Sequence, residues 1–498
     1  MARSFYPLAT FAPAPAHVSL LPFRFMRLHG QELMVNEAGE YLFAPDGTVR
    51  SLVDGHIDAK STIYKDLKSK HFIYDETSSP LLDVLATKIR TKYDHLSGGT
   101  KLHIFVVTLR CEHSCHYCQV SRQTSAPKTE FDMSRETADR SIDLMLDSPS
   151  SHITLELQGG EPLLAFDVIQ YIVPRAKQQA EERGKTLDLV VTTNLACATD
   201  EMLMYFRDEG VRVSTSLDGP AFLHNKNRPR PGNDSYEHAI DGINRARAIL
   251  GFENVAALMT TTAASLEHVK EIVDEYVRQS FHTIFLRPIS PYGFALKTKH
   301  HTGYEMTRFL EFYKVGLEYI LDINRSGYRL TEIYSQILLS KMLTPQGTGY
   351  VDLQSPAGEA WNVLVYNYNG DVFASDESRM LAEMQDWTFR LGNVHRDTRR
   401  SLFTSDAALR MFEVSCNQSL AGCSDCAFQS YCGADPIYHH ATQGDMYGHR
   451  PTSGFCTRNM EVIKHLFSFI REDDPKTMAI FWSWITRRPM QMLELPCA

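Results

Sequence analysis

No run of this chain is long and apolar enough to span a bilayer, which argues against a helical membrane protein. Residues Met1–Ala16 carry three prolines and no continuous apolar stretch, so they do not read as a secretory signal. Basic residues are in deficit. The 51 Lys and Arg against 60 Asp and Glu give a net charge of −9, and a general nucleic-acid binder needs a basic surface to neutralise phosphates. There is no internal repeat and no low-complexity tract. Cysteine is sparse, ten in 498 residues, but the cysteines cluster at short spacings. In a large acidic chain without a signal, that pattern points to reduced metal ligands rather than disulfides, and to a cytoplasmic location. With 43% hydrophobic residues, a chain of this length can bury several cores, and its length suggests about three domains.

The first cysteine group follows the apolar stretch Leu102–Val107. In the run Thr108–Gln119, Cys111, Cys115 and Cys118 form a Cys-x3-Cys-x2-Cys loop. Such a loop can hold three irons of a four-iron cluster and leave the fourth open to a small molecule. Zinc is the alternative. Zinc sites usually close with a fourth Cys or His; His113 and His116 are near, although so tight a loop makes their simultaneous use awkward. Downstream, Ile153–Leu157 reads as a buried strand and runs into Gln158-Gly159-Gly160-Glu161-Pro162, which by itself is a strand-to-helix turn. The strand Leu187–Val191 ends in Thr192, Thr193 and Asn194. Val211–Thr215 ends in Ser216-Leu217-Asp218-Gly219-Pro220, with His224 and Arg228 following. Taken alone, Asp-Gly-Pro is a turn and Arg228 a solvated charge.

In this order, these stretches resemble the radical S-adenosylmethionine (SAM) superfamily, and the Ser-x-Asp-Gly-Pro…His…Arg segment is similar to that of its peptide-modifying branch. The resemblance implies that Cys111, Cys115 and Cys118 ligate a [4Fe-4S] cluster that binds exchangeable SAM, with Tyr117 beside the cluster and the adenine. It implies that Glu161 and the backbone carbonyls of the Gly159-Gly160-Glu161-Pro162 segment receive the SAM ammonium, a group that offers only donors. Ser216 and Arg228 would hold the SAM carboxylate, and Thr193 and Asn194 would line the same rim.

The expected fold is α/β, with three parts. Residues 1–77 contain strand-like runs at Phe23–Leu28, Glu32–Asn36 and Glu40–Phe43, helical patterns around Ser51–Asp54 and Ala59–Lys68, and Phe72–Tyr74. They resemble the winged-helix-like leader-recognition domains of peptide maturases, which bind a precursor peptide as an added strand. Residues 78–100 read as a connecting helix and linker. In residues 101–324, strand candidates at 102–108, 152–157, 187–193, 211–217, 254–261 and 283–288 alternate with helices 134–147, 166–182, 200–207, 236–250, 265–278 and 304–323. Six βα units make a parallel sheet, which the superfamily curls into a partial barrel with ligands at the carboxyl ends of its strands.

Residues 325–498 carry the second cysteine group, Cys416…Cys423-x2-Cys426-x5-Cys432…Cys456. It resembles the SPASM extension of radical SAM peptide maturases, which implies one auxiliary [4Fe-4S] cluster on Cys423, Cys426, Cys432 and Cys456. Zinc in the same four cysteines is the alternative. Cysteines for a second auxiliary cluster are missing: Gln354–Ala360 has none, Ser375 stands at the position after the Gly370 hairpin, and Pro436 replaces the other ligand. Cys416 reads as an alternative ligand or a free thiol, and Cys197 and Cys497 as structural or incidental. Asp376 matches a position where some SPASM enzymes carry a general base, and is otherwise a turn former. Asp435 reads as a cap or an unusual ligand, and Tyr438, His439 and His440 as a channel lining. The stretch Ile463–Ile485, broken by Glu472-Asp-Asp-Pro475, reads as packing.

The whole chain resembles the His-Xaa-Ser-system type of radical SAM/SPASM maturase and enzymes that install cyclophane or ether crosslinks in ribosomal peptides, darobactin synthase among them. The resemblance implies a peptide-modifying oxidoreductase. It would cleave SAM reductively to a 5′-deoxyadenosyl radical, remove a hydrogen from a substrate Cβ and form a crosslink, with a flavodoxin or ferredoxin as electron donor. Thioether formation, epimerisation and formylglycine formation are the other peptide outcomes. A non-catalytic electron carrier is disfavoured, because it has no need of the segments assigned to SAM.

Overall fold

The computed structural model describes residues 18–75, 78–118, 122, 123, 128–293, 295 and 302–489. The segment Met1–Ala16, Gln119 of the cysteine loop, and Cys497 lie outside the described residues. The chain divides into two compact units.

The first unit runs to Asp94 and is completed by Ser340–Gly347 and Asp425–Tyr431. Strands β2 (Phe23–Leu28), β3 (Gln31–Asn36) and β4 (Tyr41–Pro45) form an antiparallel meander, and β1 (Ser19–Leu20) pairs with β5 (Ile73–Tyr74). Met34 lies opposite both Phe25 and Leu42 and faces a core of Leu42, Val49, Leu67 and Phe72. The buried carboxylate of Glu32 accepts the N–H groups of Gly47 and Val49 and so caps the helix Thr48–Val53. The Ser61 hydroxyl accepts the N–H of Tyr64 and starts the helix Thr62–Ser69.

The second unit is built on an eight-stranded sheet. Strands β6 (Leu102–Thr108), β7 (His152–Gly159), β8 (Thr186–Thr192), β9 (Val211–Ser216) and β10 (Val255–Leu258) run parallel, in sequence order. Helices Arg135–Leu146, Phe166–Glu182, Asp200–Glu209 and Ser235–Leu250 cross between them. On β7 the two faces separate by residue type. Ile153, Leu155 and Leu157 are fully buried, while Thr154, Glu156 and Gln158 are half-buried on the opposite face. Strand β6 is buried along almost its whole length, His103 and Thr108 included, as β13 (Val363–Tyr366) pairs with its other edge, also in parallel. β14 (Asp371–Phe373) and β15 (Arg390–Asn393) extend the sheet antiparallel. Ile104, Val106, Val363, Val365 and Phe373 form one apolar cluster, and Ala382 of the helix Asp376–Ala382 packs on it.

The expected strand 254–261 is shorter, and 283–288 differs more. Only Thr283–Ile284 is a strand (β11), and it pairs in parallel with Thr331–Glu332 (β12). A single parallel bridge, Thr261–Pro288, joins it to the run after β10. Pro288 has no N–H to continue a ladder, and the N–H of Arg287 turns back to the carbonyl of Phe285 (2.7 Å). At the C-terminal end, helices Gly454–Glu472 and Pro475–Thr486 meet where Asp474 caps the second, and Trp484 is fully buried. Among the described residues, no helix is long and apolar enough to cross a membrane.

Candidate active site

The site is assembled at the carboxyl ends of β6 to β9. The loop after β6 is pinned by Arg110, whose guanidinium donates to Asp132 (2.8 and 2.7 Å) and to the carbonyl of Leu164 (2.7 Å). Its backbone is tied by Cys111 N–H to Gln123 O (3.2 Å) and Ser114 N–H to Pro229 O (2.7 Å). The end of β7 is stitched to the same loop, as Gly160 N–H donates to Thr108 O (2.8 Å) and Glu161 N–H to Arg110 O (2.7 Å). This contact explains the two glycines. A Cβ at Gly159 would overlap the carbonyl of Thr108, and one at Gly160 those of Leu109 and Arg110.

Two buried carboxylates organise the residues around the loop. Glu161, 1% exposed, accepts the N–H of Leu163 (3.0 Å), the hydroxyl of Thr193 (2.6 Å) and the N–H of Asn194 (2.8 Å). Asn194 in turn donates to Glu112 (2.9 Å), which lies 3.1 Å from the ring of His113. Burial and the charge of Glu112 push Glu161 up to about 8, against the pull of its three donors. Burial also opposes ionisation of Glu112, but its hydrogen bonds prevail and hold it below the ordinary range.

Asp218, fully buried after β9, accepts the hydroxyl of Tyr117 (2.6 Å), Arg228 Nε (3.0 Å) and Nη2 (3.3 Å), and the N–H of Thr260 (3.2 Å). The guanidinium of Arg228 lies 5.3 Å from the ring centre of Tyr117. Burial would lower the pKa of Arg228, but Asp218 outweighs it and the cation is held fully charged. The ring of His224 accepts the N–H of Asp218 (3.2 Å), and burial lowers it to about 3, so it is neutral. Ser216 closes β9 beside this group.

The structure therefore gathers the cysteine loop, Tyr117, Gly159–Pro162, Thr193, Asn194, Ser216 and Arg228 at one rim. Glu112 and the organising role of Asp218 are not singled out from the sequence: Glu112 reads as a spacer between cysteines and Asp218 as a turn residue, while His113, weighed there as a zinc ligand, instead meets Glu112 and Asn194. Cys111 is buried and Cys115 is pushed up to about 12, chiefly by burial, so a thiolate here needs a metal to stabilise it. Cys111, Glu112 and His113 offer ligand atoms within 4.8 Å of one another, but Glu112 and His113 are engaged with each other and with Asn194.

In the second cysteine group, Arg450 donates through Nε to Cys423 Sγ (3.0 Å) and through Nη1 to the neutral ring of His439 (2.6 Å), and Asn459 donates to Cys432 Sγ (3.4 Å). Donors aimed at sulfur suit thiolates that carry a cluster. Asp435 is a cap: at a left-handed φ of 44°, its carboxylate accepts the N–H of Tyr438 (2.9 Å) and starts the helix Pro436–Gln443. Asp376 begins the helix Asp376–Ala382, which Ser375 caps, and its carboxylate meets the fully buried Arg379 (3.2 Å).

Residues 105–282 match the model of the Radical SAM superfamily. That stretch has the α/β radical SAM fold. Over 349 residues (65% of this chain and 79% of the relative) it is 23% identical to the serine-type anaerobic sulfatase-maturating enzyme of Bacteroides thetaiotaomicron. A cysteine-type anaerobic sulfatase-maturating enzyme of Clostridium perfringens is 23% identical over 319 residues, 62% of this chain and 80% of that one. Among solved structures, anSMEcpe with bound AdoMet superposes with a TM-score of 0.63 at 17% identity, covering 77% of this chain and 98% of that one. Streptococcus suis SuiB bound to its precursor peptide SuiA gives 0.52 at 12% identity, covering 87% and 98%. The solved structures share the α/β fold of this chain, and the rim built from the ends of β6 to β9 lies at the carboxyl edge of the sheet, where open α/β sheets collect ligands.

Proposed function

We propose that this chain is a radical SAM oxidoreductase that modifies a ribosomally made peptide and installs a side-chain crosslink at Cβ. The observation that carries the reading is the convergence of Cys111, Cys115 and Cys118 with Glu161, Asn194, Ser216 and Arg228 at one strand-end rim. When bound there, a [4Fe-4S] cluster and SAM supply one-electron cleavage of SAM to a carbon-centred radical. Arg228 spends two donors on Asp218 and has others for the SAM carboxylate, to which Ser216 adds a hydroxyl. The carbonyls of Gly159-Gly160-Glu161-Pro162 receive the ammonium, with Glu161 holding Thr193 and Asn194 in register beside them. Tyr117, tied to Asp218, walls the adenine side. Asp376 takes the substrate proton, within the field of Glu156 on β7.

Cys423, Cys426, Cys432 and Cys456 would hold one auxiliary [4Fe-4S] cluster, with flavodoxin or ferredoxin as electron donor. Residues 1–77 would read the leader of the precursor, 78–100 connect, 101–324 form the catalytic core and 325–498 the SPASM-like part. Peptide substrates are supported by the solved relatives bound to peptides. The likeness to sulfatase-maturating enzymes favours a second reading, oxidation of a Ser or Cys to formylglycine.

Anaerobic reconstitution, dithionite reduction and assay of 5′-deoxyadenosine test the proposal. About eight irons per chain and accumulation of 5′-deoxyadenosine are expected. A verified cluster with no SAM cleavage overturns it, and about four irons removes the auxiliary cluster. Co-expression with a candidate precursor peptide, sought among short open reading frames near this gene, separates the two outcomes. A crosslink loses two hydrogens and leaves no group that reacts with hydrazide, whereas formylglycine is an aldehyde and reacts.

A further inference from the structure

Within the second unit, a cavity with about 50 Å³ of water-accessible space lies along the run Phe285–Tyr292. It is lined by four carboxylates, Asp352, Glu359, Glu377 and Asp435, but only two guanidiniums, Arg287 and Arg458. Among the described residues, no ion pair within 4.0 Å joins either arginine to any of these acids. Arg458 is turned to the rings of Tyr334 (5.4 Å) and Phe455 (5.2 Å). Glu359, one of the lining residues, is 4% exposed, and its buried Oε2 has no hydrogen-bond partner. A buried carboxylate oxygen left unpaired costs more than it contributes to the fold alone.

Two further features narrow what the cavity takes. The four acids offer no set of three ligand atoms close enough for one metal ion among the described residues. The wall between them is aromatic: Phe285 stacks on Tyr334 at 6.0 Å, and Tyr350 meets Tyr334 edge-on at 6.2 Å. Ring faces and carboxylates around a space larger than a metal suit an organic cation. The acids also crowd one another, and a bound cation would relieve that repulsion and let them ionise. Burial, then the neighbouring acids, push Glu377 up to about 7 and Glu359 and Asp435 well above the usual carboxylate range. The cavity adjoins the sheet that carries the rim, since Arg287 acts on Glu156 of β7, which accepts the hydroxyl of Thr192 at the end of β8.

We propose that this cavity binds a cationic side chain of the peptide substrate, a lysine ammonium or an arginine guanidinium, with Asp352, Glu359 and Glu377 as acceptors and Tyr334 and Tyr350 along its stem. The proposal rests on the peptide-modifying function above and supplies its selectivity: a positive residue is anchored at a set place relative to the carbon that reacts.

The test is binding of capped pentapeptides, acetyl-Gly-Gly-Xaa-Gly-Gly-amide, to the reconstituted full chain by calorimetry or saturation-transfer NMR, with Xaa as Lys, Arg, norleucine or Glu. The Lys or Arg peptide should bind at least about tenfold more tightly than the norleucine peptide, because a charged hydrogen bond discriminates by that order. Glu359→Gln should remove about the same factor from the Lys or Arg peptide. If Glu359→Gln fails to fold by its thermal midpoint, Glu377→Gln, which is half-buried, takes its place with the same expectation. Equal or tighter binding of norleucine or Glu, no measurable binding of Lys and Arg, or a folded variant with unchanged affinity would each overturn the proposal. SAM cleavage is assayed separately on the same wild-type preparation without peptide, so failure of the function and failure of the cation site are distinguishable.

Discussion

Glu161 and Asp218 are buried to similar depth, yet they use their charge differently. Glu161 is surrounded by neutral donors and by Glu112, so its ionised form is held only by hydrogen bonds, and its affinity for a proton rises. Asp218 faces a guanidinium and carries the site's positive charge into place. Glu377 is of the first kind. Its ordinary value is 4.5, and in the folded chain burial and the charges of Asp352 and Asp376 push it up to about 7. The folded chain therefore holds this proton where the unfolded chain has lost it. The stability contribution is full below about pH 4.5 and is lost as pH rises through about 7. Glu377→Gln cannot ionise, so thermal midpoints measured in steps across that window should fall less steeply with pH than those of the wild type. Of the two adjacent acids, the sequence pointed to Asp376. Successive residues of a helix point about 100° apart, and only the observed start of the helix at Asp376, with Ser375 as cap, shows that Glu377 lines the cavity while Asp376 turns to Arg379.

Among the elements, β6 to β9 were legible because helices cover one face of the sheet and β7 alternates cleanly, with Ile153, Leu155 and Leu157 on the covered side. The run 283–288 is just as apolar at its start, but its end serves the cavity wall and contains Pro288, so propensity was overruled by tertiary placement. The strand-to-loop join at β7 is where an element boundary becomes a functional constraint. Gly160 sits against the backbone of Leu109 and Arg110, which a flexible side chain cannot relieve by moving away. Gly160→Ala should displace the cysteine loop at a cost of about 1–3 kcal/mol. The expected readouts are a lower thermal midpoint and fewer irons retained per chain after reconstitution. Gly184→Ala, in an exposed turn at φ +65° with open space around it, should cost about 1–2 kcal/mol of backbone strain and leave the iron count intact.

At the scale of the molecule, the sequence suggested parts that follow one another along the chain, and the first compact unit does not obey that order. It borrows Ser340–Gly347 and Asp425–Tyr431 from far downstream. Contiguous reading misses this because no local pattern marks a segment that packs against residues almost four hundred positions away. The borrowed segment is held by specific bonds: Tyr431 donates its hydroxyl to Gly39 O (2.8 Å) and Ser430 to Asn36 O (2.8 Å), and Tyr431 is fully buried. A chain beginning at residue 95 would lack Gly39 and Asn36, whose carbonyls accept these two hydroxyls. Exposing a buried aromatic side chain forfeits about 1.5–3 kcal/mol of burial, and a loop stripped of its packing opens locally long before the protein unfolds. Limited chymotrypsin digestion should therefore cut the shortened chain at Phe428 or Tyr431 while the full chain resists there, with fragments assigned by mass. Equal protection of the two chains at these sites would show that the downstream segment holds its conformation without the N-terminal meander.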